Sequence, residues 1–122
     1  IGTNDIGYWK STADGIEHLR EEYKDRFIKS AKRIEASPLI VLSILPRNAW
    51  GEQDPAVNEN IEIQNGILKR ALKTEIPGSR FVDVFGMFLD SGFEIREDLF
   101  KDGLHPNDEG YEILSQKIQG VL

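Results

Sequence analysis

The chain has 122 residues, which is enough for one domain with a real hydrophobic core. It contains no cysteine, and this excludes disulfides, thiolate zinc sites and a cysteine nucleophile. Its 21 acidic and 15 basic side chains give a net charge of -6, which argues against nucleic acid as a partner because phosphates need clustered positive charge. No apolar run approaches the roughly 20 residues that span a bilayer, so we expect no membrane span.

The chain opens on a segment that looks like the end of a strand followed by a loop. Residues 1–7 place glycines around an Asn-Asp pair. Ser11, followed three residues later by Asp14, forms a capping box and predicts a helix that runs to about Ala36. The apolar face of this predicted helix consists of Ile16, Leu19, Tyr23, Phe27, Ala31 and Ile34.

Two short runs have the composition of strands. Residues 39–45 form a continuous apolar run between Pro38 and Pro46, which predicts a strand covered on both faces. Residues 81–85 form a second β-rich run. Burial on both faces is typical of strands in a parallel sheet.

Two further helices are predicted, one after each of these strands. Asp54-Pro55 is typical of a helix start, and Pro77-Gly78 is typical of a helix end. The apolar face of this helix is expected at Val57, Ile61, Leu68 and Leu72. Asn107-Asp108 predicts the start of the last helix. The apolar positions of the last helix are Tyr111, Leu114, Ile118 and Val121.

The order of these elements predicts a single α/β domain over residues 1–122. Strands that alternate with helices favour right-handed βαβ units and a parallel sheet with helices on both faces. In such sheets the ligand site lies beyond the carboxyl ends of the strands. The loops at that edge are 4–11, 46–54 and 86–107. We therefore expect one site that gathers Asn4, Trp9, Arg47, Asn48, Trp50, Asp102 and His105.

The most informative motif is Asp102-Gly103-Leu104-His105-Pro106-Asn107. A histidine acts as a general base when one ring nitrogen accepts a proton and an acceptor fixes the other. Asp102, three residues before His105, is spaced to be that acceptor. Gly103 permits backbone angles that a side chain forbids, and Pro106 restricts its own φ and the conformation of His105. The plainer interpretation is a carboxylate that caps a turn beside a surface histidine.

These residues resemble the SGNH or GDSL-type hydrolases, a family of serine esterases and lipases on a flavodoxin-like α/β/α sandwich. Gly2-Thr3-Asn4-Asp5 is similar to the family's third block, whose asparagine donates to the oxyanion. The motif from Asp102 to Asn107 is similar to the fifth block, which carries the catalytic Asp and His. Further likenesses are Leu45-Pro46-Arg47, Asn58, Asn65 and Leu99-Phe100. The resemblance implies a three-layer α/β/α sandwich whose N-terminal strands are missing from this sequence.

The sequence departs from the family at the nucleophile. The Gly-Asp-Ser block, and the block whose glycine completes the oxyanion hole, precede the third block in the family and do not occur in these 122 residues. None of the seven serines has a Gly-Asp-Ser or Gly-x-Ser-x-Gly setting. They are Ser11, Ser30, Ser37, Ser43, Ser79, Ser91 and Ser115. We therefore expect the C-terminal part of a serine ester hydrolase, inactive on its own.

The resemblance implies a role for each candidate residue. His105 would take the serine proton, Asp102 would orient the imidazole, and Asn4 would donate to the oxyanion. The expected substrate-binding residues are Trp9, Arg47, Asn48, Trp50 and Leu104. The expected substrate is a small carboxylic ester, with acetyl esters of carbohydrate preferred to lysophospholipid-type esters, and neither a cofactor nor a metal is expected.

Two alternatives stay open at this stage. The first is a non-catalytic module that binds acylated sugar or lipid in the same cleft. The second is metal-assisted hydrolysis by Asp102 and His105 with His18 or Asp5, although the sequence has no HxH or HxxxH spacing. The expected macromolecular partner is either the missing N-terminal part of the domain or a second copy that pairs through an exposed strand edge.

Overall fold

A computed structural model of the chain describes residues 16–35, 38–48, 52–53 and 55–122. The predicted strand end, capping box and Asn4 loop lie outside these residues. In chain order the helices and strands are α1 (Ile16–Ala31), β1 (Ile40–Leu42), α2 (Pro55–Glu75), β2 (Arg80–Val82) and α3 (Asp108–Val121). Two short 3-10 helices, Phe85–Phe88 and Glu97–Leu99, lie between β2 and α3.

The two strands form a parallel pair, as predicted. Val41 lies opposite Phe81 in the register, and α2 makes the connection from β1 to β2. A parallel pair needs such a crossover because its two strands run in the same direction. The predicted apolar positions of α2 are all buried, and they are Val57, Ile61, Leu68 and Leu72. The α/β class and the parallel sheet are therefore confirmed.

Both strands are shorter than predicted. β1 is only half-buried along its length, so the expectation of burial on both faces was wrong in the described part of the chain. An apolar groove of about 790 Å³ runs along β1 and beside α1, lined in part by Tyr23 and Phe27. β2 ends at Val82 because the Ser43 hydroxyl accepts hydrogen bonds from the backbone N–H groups of residues 84 and 85, at 2.9 and 3.1 Å.

Two helical predictions also need correction. α1 ends at Ala31 instead of about Ala36, since the backbone N–H of Ile34 donates to the Ala31 carbonyl in a tighter, three-residue turn. Ile34 is consequently 57% exposed and does not belong to the core. Tyr111 is 56% exposed because the face of α3 that packs inward carries Gly110, one residue earlier on the helix.

A separate apolar cluster lies beneath the loop between β2 and α3. It consists of Phe88, Ile95, Leu99 and Phe100. The Phe88 and Phe100 rings meet edge to face with centroids 5.6 Å apart. Leu45, which follows β1, and Leu114 of α3 pack against this cluster. The long loop is therefore anchored by its own core, immediately before the Asp102 motif begins.

Candidate active site

Asp102 and His105 form a hydrogen-bonded pair within one turn. The Asp102 Oδ2 atom lies 2.7 Å from His105 Nδ1. The other carboxylate oxygen, Oδ1, accepts the backbone N–H groups of His105 at 2.7 Å and Leu104 at 3.0 Å. These two backbone bonds fix the carboxylate, and the carboxylate in turn fixes the imidazole. The arrangement favours the tautomer that carries its proton on Nδ1 and leaves Nε2 able to accept one.

The same contacts keep the carboxylate ionised. The backbone N–H of His105, the His105 imidazole and the backbone N–H of Leu104 hold the pKa of the Asp102 carboxyl well below its usual range. The side chains of Asp102 and His105 are 49% and 62% exposed. The carboxylate is thus ionised, and the imidazole is oriented and accessible, which are the properties that a base for a bound substrate needs.

A short antiparallel bridge closes the turn at its base. Phe100 pairs with Pro106, and the Lys101 N–H donates to the His105 carbonyl at 2.8 Å. Beyond the bridge, the Asn107 side chain accepts from the Gly110 N–H at 3.0 Å and so caps α3, as the sequence predicts. His105 is therefore held between a closed turn and a helix N-terminus.

The loop after β1 is the second wall of the site. Two buried asparagines of α2 hold it by hydrogen bonds to its backbone. Asn65 bonds both the N–H and the carbonyl of Ile44, at 2.7 and 2.9 Å. Asn58 accepts from the Arg47 N–H at 2.8 Å and donates to the Phe93 carbonyl at 2.9 Å. These bonds bring residues 46–48 against the Asp102 turn, where the Asn48 N–H donates to the Gly103 carbonyl at 2.9 Å.

The structure describes five of the eight residues predicted for the site. Asp102, His105, Asn48 and Leu104 meet in the turn and against it, and Leu104 is half-buried. Arg47 is buried, and its Nε donates to the Asn48 carbonyl at 2.8 Å. The other three, Asn4, Trp9 and Trp50, lie outside the described residues.

Sequence reasoning gave no role to Asn58 and Asn65, although the structure makes both of them supports of the site. A signal was present in the pattern, because both asparagines fall on the face of α2 that carries Ile61 and Leu68. A polar residue on an apolar helical face is buried and must find hydrogen-bond partners. Ser43, directly after β1, is likewise a buried polar residue with a structural role. Its hydroxyl accepts a hydrogen bond from the Val84 N–H, just beyond the end of β2.

Other chemistries find little support in the described part of the chain. No group of three or more His, Asp or Glu side chains that could hold a metal ion occurs there. His18 lies on the exposed surface of α1, 3.8 Å from Glu22. Among the described helices, none is long and apolar enough to cross a membrane.

The parallel sheet, with a histidine-bearing turn beside the loop that leaves β1, has the architecture of GDSL-type hydrolases. Residues 1–113 match the profile of the GDSL-like lipase/acylhydrolase family, and the chain belongs to that family. A solved structure from Streptococcus pneumonia, provisionally described as a platelet activating factor, superposes with a TM-score of 0.70 at 27% identity. The similarity covers 99% of this chain and 56% of that one. No curated protein matches the chain.

Proposed function

We propose that the intact protein is a serine-dependent hydrolase of carboxylic esters, in which His105 is the general base. The observation that carries the proposal is the 2.7 Å contact between Asp102 Oδ2 and His105 Nδ1, made by a carboxylate that two backbone N–H groups already hold. Membership of the acylhydrolase family supports the reaction class.

The proposed reaction uses the two nitrogens of His105 for different tasks. Nδ1 donates to Asp102, which stabilises the imidazolium that forms when Nε2 takes the proton of a serine hydroxyl. The serine oxygen then attacks the ester carbonyl, and His105 returns the proton to the departing alcohol. We propose Asn4 as a donor to the oxyanion, and Trp9, Arg47, Trp50 and Leu104 as residues that contact the substrate. Water repeats the sequence to release the acid.

We propose that the nucleophilic serine comes from outside these 122 residues. Among the described serines, the Ser43 hydroxyl already accepts two backbone N–H groups, and none of the others has a Gly-Asp-Ser or Gly-x-Ser-x-Gly setting. The 122-residue chain alone should therefore show no turnover. We further propose that an exposed strand edge of this chain either receives the rest of the domain or pairs with a second copy, which size-exclusion chromatography of the isolated chain would reveal as self-association.

The intact protein should hydrolyse short p-nitrophenyl esters, and His105→Ala should lower kcat by about 10⁴-fold or more. His18→Ala is the matched control, because His18 lies on the exposed face of α1 and should be silent. Asp102→Asn should cost less than His105→Ala. A fluorophosphonate probe should label the intact protein and leave the isolated chain unlabelled.

The outcomes separate the alternatives. Equal activity of His105→Ala and the parent would end the proposal. Saturable binding of acetylated oligosaccharide without turnover or labelling would favour a binding module instead. If the protein is an esterase, a panel of esters that runs from acetyl to long acyl chains would identify the substrate class. The panel would include acetylated carbohydrate and a lysophospholipid as natural esters.

A further inference from the structure

The contact between Asn48 and Gly103 joins the loop after β1 to the turn that carries Asp102 and His105. Gly103 has a φ of +80°, in the left-handed region that side chains rarely adopt. Its carbonyl accepts the Asn48 N–H at 2.9 Å. Gly103 also follows Asp102 directly, so its conformation decides where the carboxylate and the imidazole lie.

The Asn48 side chain packs directly on the Cα of Gly103. A Cβ added at Gly103 would lie 2.6 Å from Asn48 Nδ2, 3.1 Å from Cγ and 3.2 Å from Cβ. The side chain is enclosed, because its Oδ1 is buried, and this oxygen has no hydrogen-bond partner among the described residues. The amide therefore lies directly against the turn at Gly103, with its oxygen shielded from solvent.

Asn48 is itself held from behind. Pro46 is fully buried. The Arg47 N–H donates to Asn58 Oδ1 at 2.8 Å, and the Asn58 residue has no exposed surface. The Asn48 carbonyl accepts from Arg47 Nε at 2.8 Å. Displacement of this segment would break the bond from Arg47 to the buried Asn58 side chain, so the loop holds Asn48 in place against the turn.

We propose that Asn48 is a positioning residue, whose packing on Gly103 sets the Asp102–His105 turn in the place where His105 meets the nucleophile. The inference rests on the proposed function. It assigns Asn48 an effect on kcat through His105, in place of the substrate contact that the sequence suggested. A misplacement of about 1 Å in a reacting group is enough to cost two orders of magnitude in rate.

A double-mutant cycle in the intact protein tests this role. Gly103→Ala should lower kcat by about 100-fold, and the same change in the Asn48→Gly background should cost about tenfold less, because the side chain that a Cβ meets is gone. The φ strain is present in both backgrounds and cancels in the comparison. Asn48→Gly alone should lower kcat and leave KM unchanged.

Asn48→Leu supplies the conservative rescue. Leucine keeps the branched shape and the number of side-chain heavy atoms and removes the amide, whose oxygen bonds to none of the described residues, so it should recover most of the kcat that Asn48→Gly loses. Gly78→Ala is the matched glycine control. Gly78 has a φ of +89° and nothing within 4 Å of an added Cβ. Its effect should be the same in both backgrounds.

Thermal unfolding of the same variants separates the two proposals. The drop in Tm caused by Gly103→Ala should shrink in the Asn48→Gly background whether or not the protein is an esterase. An inactive parent that shows this Tm coupling would refute the proposed function and leave the contact intact. An active, His105-dependent parent with additive kcat effects, or with Asn48 variants that change KM alone, would overturn the positioning role.

Discussion

Replacement of Asn65 by leucine should destabilise the protein far more than the similar shape of the two side chains suggests. The Asn65 side chain is buried and bonds both the N–H and the carbonyl of Ile44. Leucine keeps the branched shape of the side chain and cannot bond to either backbone group of Ile44. Because each such buried group costs about 1–3 kcal/mol, we expect Asn65→Leu to lower the free energy of unfolding by about 2–5 kcal/mol. A domain has only about 5–15 kcal/mol in total.

Urea unfolding of the intact protein, followed by circular dichroism, measures this loss. Asn60→Leu on the same helix is the control, since Asn60 is half-buried and, within the described part of the chain, accepts one side-chain bond, from Arg20 Nη2 at 2.9 Å. It should cost about 1 kcal/mol or less. A difference between the two variants below about 1 kcal/mol would refute the reasoning, because an unpaired Ile44 would then be tolerated. Asn65→Leu should also lower kcat, as Ile44 begins the segment that leads to Asn48.

Two further predictions concern the turn and the helix that follows it. Gly110→Ala should lower the free energy of unfolding by about 1–3 kcal/mol, because the added Cβ would lie 2.5 Å from the Leu99 carbonyl oxygen. Gly120→Ala on the same helix is the control, since its Cβ would have no atom within 4 Å, and it should be neutral or stabilising in the same urea titration. Asp102 has a lowered folded-state pKa, so its stabilising effect is full above the unfolded value near 3.8 and is lost as pH falls toward the folded value. The stability gap between the parent and Asp102→Asn should therefore close as the pH falls below about 4, and a gap that widens there would contradict this assignment.

The hydrophobic pattern of the sequence predicted which helices and strands occur better than it predicted the residues at which they end. The apolar face of α2 and the cap of α3 were predictable because both depend on residues close in sequence. The end of β2 was not, since it depends on the hydroxyl of Ser43, about forty residues earlier in the chain. The burial of β1 was overestimated for a related reason. Apolar composition says what a strand can bury, whereas actual burial depends on which neighbours cover it.

The candidate site divides in the same way. Asp102 and His105 were predictable because their contact lies within one turn. The packing of Asn48 on Gly103 joins residues about fifty-five positions apart, and no spacing rule indicates it. Asn58 and Asn65 were visible as polar residues on an apolar face. Their function could not be deduced, because it consists of bonds to the backbone of another element.

Within the described ranges, the Asp102 carboxylate makes three hydrogen bonds, and all of them come from Leu104 and His105, inside four consecutive residues. Asp102 and His105 therefore move as one unit whenever the turn shifts. Their alignment with each other is insensitive to rearrangements elsewhere in the domain. A rearrangement can change the direction of the His105 ring without changing the hydrogen bond by which Asp102 fixes its tautomer. Substitutions elsewhere in the cleft should therefore change where His105 lies before they change how Asp102 holds it.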